Sequence, residues 1–180
     1  MSIELEIGVE SWIIQDGNYA DFAVNQSYSF ALEFYPHSLK KTGSEKSFEH
    51  VEKSLYNVVA EIIYIDKHSW VIDFGLSAYQ AQRPHKKFKV GDFVSGVFYL
   101  GIDHYMYFES LKNLKNYPQI IYQWHVNKIE LETTPFIETA PKYFERDTQN
   151  TSFKCISKTD AWNDTNGSGS YVFKCQLQDS

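Results

Sequence analysis

Two copies of the triplet Phe-Lys-Cys, at 153–155 and 173–175, enclose the part of this sequence that looks most like a chemical site. A metal loop is the first possibility, because the polar residues between the triplets match the opening positions of a calcium-binding loop: Asp164, Asn166, Ser168 and Gly169. The final position of such a loop needs a bidentate Glu, and here it is Cys175. The sequence therefore predicts no metal at this segment.

The two cysteines give a different prediction. They lack the close paired spacing of a structural zinc site, and the six histidines form no His-x-x-x-His pair. Asn, Asp and Gly between the triplets suit a tight turn. We therefore expect a C-terminal hairpin centred on Thr165, with Cys155 opposite Cys175. Opposed cysteines can reach disulfide distance, but a reducing cytoplasm keeps them as thiols.

Nothing in the sequence has the spacing of a catalytic set. It contains no Gly-x-Ser-x-Gly, no phosphate-binding glycine loop and no His-Glu-x-x-His. Alternate acids such as Glu130 and Glu132 are typical of the solvated face of a strand. The sequence predicts a non-enzymatic protein without a cofactor.

The elements that must position any site are mainly strands. Apolar residues alternate over 3–9, and Trp12 and Ile14 follow out of phase, which indicates a bulge near Glu10 and Ser11. A second alternating run, from 120 to 131, also changes phase. One inserted residue near Asn127 and Lys128 reconciles its two halves.

Two short helices are expected between the strands. Thr42 and Glu45 match a capping box, and apolar residues then recur at helical spacing, at Phe48, Val51, Leu55 and Val58. This pattern predicts an amphipathic helix over 42–56. Asp103 is expected to cap a second helix carrying Tyr107, Leu111 and Leu114.

Residues 58–103 resemble the ribosomal-type OB-fold RNA-binding repeat. The segment VVAEIIYIDKHSWVIDFGL is similar to the first two strands of that repeat, and KVGDFVSGVFYLGID to its later strands. The resemblance implies that Trp70 stacks on a base. It also implies phosphate contacts from the basic run RPHKKFK, through Arg83, Lys86, Lys87 and Lys89.

The fold class we expect is mainly β: a small curved barrel (OB-like) or a sandwich, with one or two short helices and a C-terminal hairpin. The aromatic share of 17% favours strands, and 180 residues suit a single domain over 1–180. Within it, residues 1–135 are expected to form the barrel-like core. Residues 136–180 are expected to form an irregular connection and the hairpin.

The charge pattern bears on partners. A formal charge of −6 argues against non-specific binding to nucleic acid and favours a basic partner. The sequence has neither a signal-peptide pattern nor an apolar run of the roughly 20 residues that a membrane helix needs. We therefore expect a cytoplasmic protein that does not bind membranes.

Three segments mix carboxylates with aromatic or apolar residues: LEIGVES, QDGNYAD and TDAWND. In this respect, and in its size and acidity, the chain resembles bacterial immunity proteins of contact-delivered toxins. That resemblance implies stoichiometric neutralisation of a basic toxin domain. The partner-binding residues would be Asp160, Trp162 and Asp164. Two alternatives stay open, an OB-type nucleic-acid or ligand-binding module and a solvated turn with Trp162 folded back on the sheet.

Overall fold

A computed structural model describes residues 3–43 and 45–178, with 51% strand and 9% helix. The mainly β prediction is confirmed. In chain order the strands and helices are β1 (Glu4–Glu10), α1 (Ser11–Gln15), β2 (Ser27–Pro36), β3 (Lys40–Thr42), β4 (Ser47–Glu52), β5 (Leu55–Ile65), β6 (Trp70–Asp73), β7 (Ser77–Gln80), β8 (Phe93–Ile102), α2 (Met106–Glu109), β9 (Ile121–Glu132), β10 (Phe136–Ala140), β11 (Tyr143–Arg146), β12 (Phe153–Ile156) and β13 (Ser170–Leu177).

Eight strands form a closed barrel, not an open sandwich. Following the hydrogen-bonded neighbours gives the circuit β1–β13–β9–β2–β7–β6–β5–β8 and back to β1. Strands β2 and β8 also pair with each other, from Leu32 with Ile102 to Pro36 with Phe98. Through that pairing, β5 to β8 and the second half of β2 make a smaller five-stranded ring, which contains the 58–103 segment.

The barrel interior follows the alternation of the sequence. In β1, Leu5, Ile7 and Val9 are buried in the core, and Glu10 points to the outer face. The phase change in β9 is also confirmed, because the pairing with β13 steps from Lys128 to Val126 and skips Asn127. The break after Glu10, where the pattern predicts a bulge, is instead the one-turn helix α1.

A second, smaller cluster covers part of the outside of the barrel. Ala31 and Tyr79 on the strands are covered by the 106–120 segment, which includes α2 and a 3₁₀ turn at Leu111–Asn113. The N-cap of α2 is Tyr105 and not the predicted Asp103, and α2 ends before Leu111 and Leu114. Asp103 still bonds to the first turn, since its Oδ1 accepts a hydrogen bond from the backbone N–H of Tyr107 at 3.1 Å.

The helix predicted over 42–56 is wrong, because the described part of this segment contains the end of β3, the whole of β4 and the start of β5. Phe48 and Val58 are cross-strand partners in the β4–β5 hairpin, which turns at Lys53 with φ +49°. Their ten-residue separation mimics helical spacing, although the two side chains meet across a turn. Val51, on the supposed apolar face, is 48% exposed.

The predicted C-terminal hairpin is also wrong. Strands β12 and β13 do not pair with each other but flank β9, so that Cys155 lies opposite Glu130 and Cys175 opposite Val126. The predicted turn chemistry is confirmed in part, since Asn166 and Gly167 have positive φ. Both cysteines are free thiols, Cys155 exposed and Cys175 buried.

We expect Gly96→Ala to destabilise the protein by about 1–3 kcal/mol. A Cβ at position 96 would stand 1.9 Å from the carbonyl oxygen of Ser38, and backbone cannot give way as a flexible side chain can. Gly43→Ala is the matched control, because a Cβ added there would meet no atom of the described residues within 4 Å. Urea unfolding measures both variants, and equal stability would contradict this contact.

The cysteines should differ in reactivity. In the native protein we expect one thiol, Cys155, to react quickly with an aromatic disulfide reagent, and Cys175 to react only after denaturation. Burial raises the pKa of Cys175, so that this residue forms little of the thiolate that attacks the reagent. The Cys155→Ser variant should show no fast thiol. Two fast thiols would contradict the burial of Cys175 on β13, and none in freshly prepared protein would contradict the exposure of Cys155 on β12.

Candidate functional site: an acidic tryptophan surface

The segment 157–169, which joins β12 to β13, is held firmly against the N-terminal part of the chain. The Gln15 side-chain amide donates to the carbonyl oxygens of Ala161 (2.7 Å) and Gly167 (2.8 Å). Asp21 Oδ1 accepts from the backbone N–H of Ala161 at 3.0 Å and from the Thr159 hydroxyl at 2.8 Å. We call this segment the docked loop.

The predicted carboxylates of the docked loop also shape it. Asp160 accepts hydrogen bonds from the side-chain amide of Asn163 at 2.8 and 3.0 Å. Asp164 Oδ2 accepts from the backbone N–H of Asp160 and from the Tyr171 hydroxyl, both at 2.8 Å. These bonds fix the position of two negative charges, of which Asp160 is exposed and Asp164 half-buried.

Two tryptophans are exposed beside these charges. Trp162 is 68% exposed, so it is not folded back on the sheet, and Trp12 on α1 is 52% exposed. Gln15 links their segments, because it lies one helical turn after Trp12 and bonds to the carbonyl that precedes Trp162. We define the acidic tryptophan surface as Trp12, Asp16, Asp160, Trp162 and Asp164.

A partly buried ion pair, Glu33 with His104, lies next to α1. Glu33, only 2% exposed, accepts a hydrogen bond from His104 Nδ1 at 2.8 Å. This bond raises the pKa of His104, with burial opposing it and the charges of Glu33, Asp103 and Asp16 adding to it. The His104 ring lies 5.9 Å from the Trp12 ring, centroid to centroid. The pair therefore positions the exposed indole.

Asp103 is a structural residue next to this pair. Its Oδ1 accepts a short hydrogen bond from the Tyr79 hydroxyl, and its Oδ2 has no hydrogen-bond partner among the described residues. Burial raises the pKa of Asp103, which favours the neutral acid. Asp103 thus ties β8 to the outer cluster and is not available to a partner.

The residues that the RNA-binding resemblance implies are placed differently. Trp70 is buried in the barrel, 5.0 Å from Phe34 and 6.2 Å from Phe88 between ring centroids, so it cannot stack on a base without being unpacked. The basic side chains, in contrast, are all exposed on one loop: Arg83, Lys86, Lys87 and Lys89.

The part of the chain that the structure describes contains neither a cluster of metal-binding side chains nor a membrane-spanning helix. Over residues 3–43 and 45–178, no group of three or more His, Cys, Asp or Glu side chains is arranged to hold a metal ion. Within the same ranges, no helix has the length and hydropathy needed to cross a bilayer.

Comparison with known proteins gives no relative to argue from. No protein-family model, no curated protein and no solved structure matches the chain.

Sequence reasoning finds part of this surface and misses the rest. It names Asp160, Trp162 and Asp164, although as part of a C-terminal hairpin, and it marks the N-terminal region only through the acidic segments LEIGVES and QDGNYAD. The pairing of Glu33 with His104 is missed, because a Glu in an alternating strand has the pattern of a solvated face.

The ion pair generates a pH-dependent prediction. Because the folded pKa of His104 is raised, its pairing with Glu33 stabilises the fold fully below the unfolded pKa of about 6.5. This contribution is lost as the pH rises through the folded pKa. Urea unfolding should therefore show the stability difference between wild type and His104→Gln shrinking as the pH rises above about 6.5.

The control for this prediction is Glu33→Gln, in which an NMR titration should find the His104 pKa back near its ordinary value. A stability difference that stays constant over the whole pH range would contradict the ion pair.

Proposed function

We propose that the protein binds and neutralises a basic protein partner, as an immunity protein neutralises its toxin, and that it binds through the acidic tryptophan surface. One observation carries this proposal: two exposed indoles and three carboxylates lie on two segments about 150 residues apart in sequence, and the Gln15 side chain joins these segments through two hydrogen bonds. Exposed tryptophans leave a large apolar area in water, and they are also among the residues that contribute most to protein interfaces.

The charges give the surface its selectivity. Asp16 and Asp160 are exposed acids, and the loop hydrogen bonds hold the second of them in place before any partner arrives. Such carboxylates attract a basic partner over distance and repel an acidic one, and preformed geometry lowers the entropy lost on binding. A stoichiometric inhibitor needs this combination, because it must bind fast and release slowly.

The alternative function is an OB-type nucleic-acid or ligand-binding module. The exposed basic loop with Lys86 and Lys87 favours it, whereas the burial of Trp70 removes the aromatic platform that single-stranded binding uses. The protein-partner proposal uses more of the exposed aromatic surface and is the better supported of the two.

The test combines capture with protection. Tagged protein should capture from native cells a basic protein that stops growth when expressed alone and is harmless when co-expressed. Trp12→Ala and Trp162→Ala should each weaken this complex by at least about 2 kcal/mol, roughly 30-fold in Kd, and should abolish protection together.

Tyr143→Ala is the matched control, because Tyr143 is an aromatic on β11 that is 71% exposed and lies outside the surface. It should bind and protect as wild type does. Equal protection by the double tryptophan variant would refute the proposal. Capture of nucleic acid that depends on Lys86 and Lys87 would favour the alternative.

A further inference from the structure

A cleft opens on the outer face of the barrel next to Trp12. Its volume is about 340 Å³, and its walls include three aromatic side chains and two carboxylates: Trp12, Tyr35, Tyr99, Glu10 and Glu33. Trp12 and Tyr35 are exposed at its rim, whereas Glu33 is almost fully buried. We call it the outer cleft.

The cleft exists because two strands barely touch. Strands β1 and β8 meet at a single parallel pair, Gly8 with Gly101. The Tyr99 ring lies over both glycines, so that a Cβ at Gly8 would fall within bonding distance of the Tyr99 hydroxyl. The missing side chains leave room for Tyr99 to form one wall, and the strands diverge beyond it.

The electrostatics of the cleft are negative. Of its described lining residues, two are acids and none is a base. Glu10 is held by the Ser170 hydroxyl at 2.8 Å, and burial raises its pKa. Glu10, Glu33 and Tyr99 all line this one cleft. Burial raises the pKa of Tyr99, and the charges of Glu10 and Glu33 add to this effect.

Two basic groups compensate these charges only in part. His104 pairs with Glu33 from outside the cleft lining. The charge of Arg146 reaches Glu10 and slightly lowers its pKa, but Arg146 is itself 3.5 Å from Glu132. Since a carboxylate withdrawn from water without a full counter-charge is costly, a cation in the cleft would relieve that cost.

The lining chemistry decides which cation fits. Metal ions are not favoured, because no group of three metal-binding side chains occurs in residues 3–43 and 45–178. Aromatic faces attract organic cations through their π electrons, and carboxylates hydrogen-bond to ammonium and guanidinium groups. A lysine or arginine side chain has this chemistry and reaches into a cleft of this size from a protein surface.

We infer that the outer cleft receives one lysine or arginine side chain of the partner, with Trp12 shared between the cleft and the acidic tryptophan surface. This inference rests on the proposed function for the identity of the partner. The cation site itself can be tested without any partner, so the two can fail separately.

The test uses Nα-acetyl-arginine amide as the probe and Nα-acetyl-citrulline amide as its uncharged isostere, titrated into ¹⁵N-labelled protein. The arginine compound should shift the indole N–H signal of Trp12, with a dissociation constant on the order of 1–10 mM. The signal of Trp162, exposed outside the cleft, should stay in place and serves as the control within the molecule.

Glu10→Gln is the decisive variant, since glutamine keeps an acceptor for Ser170 and removes the charge. It should weaken arginine binding by roughly tenfold, whereas Glu49→Gln, an exposed acid on β4, should leave it unchanged. Equal shifts from the citrulline compound, equal shifts of Trp162, or no shift of Trp12 would each overturn the inference. If Glu10→Gln does not fold, the arginine and citrulline titrations of wild type still decide.

Discussion

The pairing of β1 with β13 is the interaction on which the rest of the structure depends. Seven consecutive residue pairs, from Glu4 with Gln176 to Glu10 with Ser170, join the first and last strands of the fold and close the barrel. Because α1 follows β1 directly and the docked loop precedes β13 directly, the same register brings them together. Gln15 and Asp21 then fix the contact with side-chain hydrogen bonds. The surface is thus a consequence of barrel closure.

Patterns of neighbouring residues in the sequence predict those strands whose structure depends on neighbouring residues. Alternation in β1 and β9 and the extra residue at Asn127 follow from the two-residue period of a strand against a buried core. The 42–56 helix is wrong for a related reason, since apolar residues on both sides of a tight turn at Lys53 imitate helical spacing. The insertion of β9 between β12 and β13 depends on long-range pairing, which the spacing of Cys155 and Cys175 does not encode.

In the candidate site, too, some features follow from neighbouring residues and others depend on long-range contacts. Composition indicates where acids and aromatics are mixed, and it marks the docked loop and the N-terminal region as separate possibilities. Only the folded chain brings these two regions together. Gln15 and Ala161 are 146 residues apart in sequence, whereas the Gln15 side-chain nitrogen lies 2.7 Å from the Ala161 carbonyl oxygen. The burial of Glu33 cannot be predicted from the alternating pattern of β2 either. It depends on the positions of α1 and His104, which cover the outer face of the barrel at this residue.

We propose that α1 and the docked loop act as one binding face. Hydrogen–deuterium exchange of the protein, free and bound to its captured partner, tests it most directly. We expect binding to protect backbone amides in residues 11–21 and 158–166 together and to leave the exposed β10–β11 hairpin at 136–146 unchanged. Protection of one segment without the other, or protection centred on the hairpin, would contradict it.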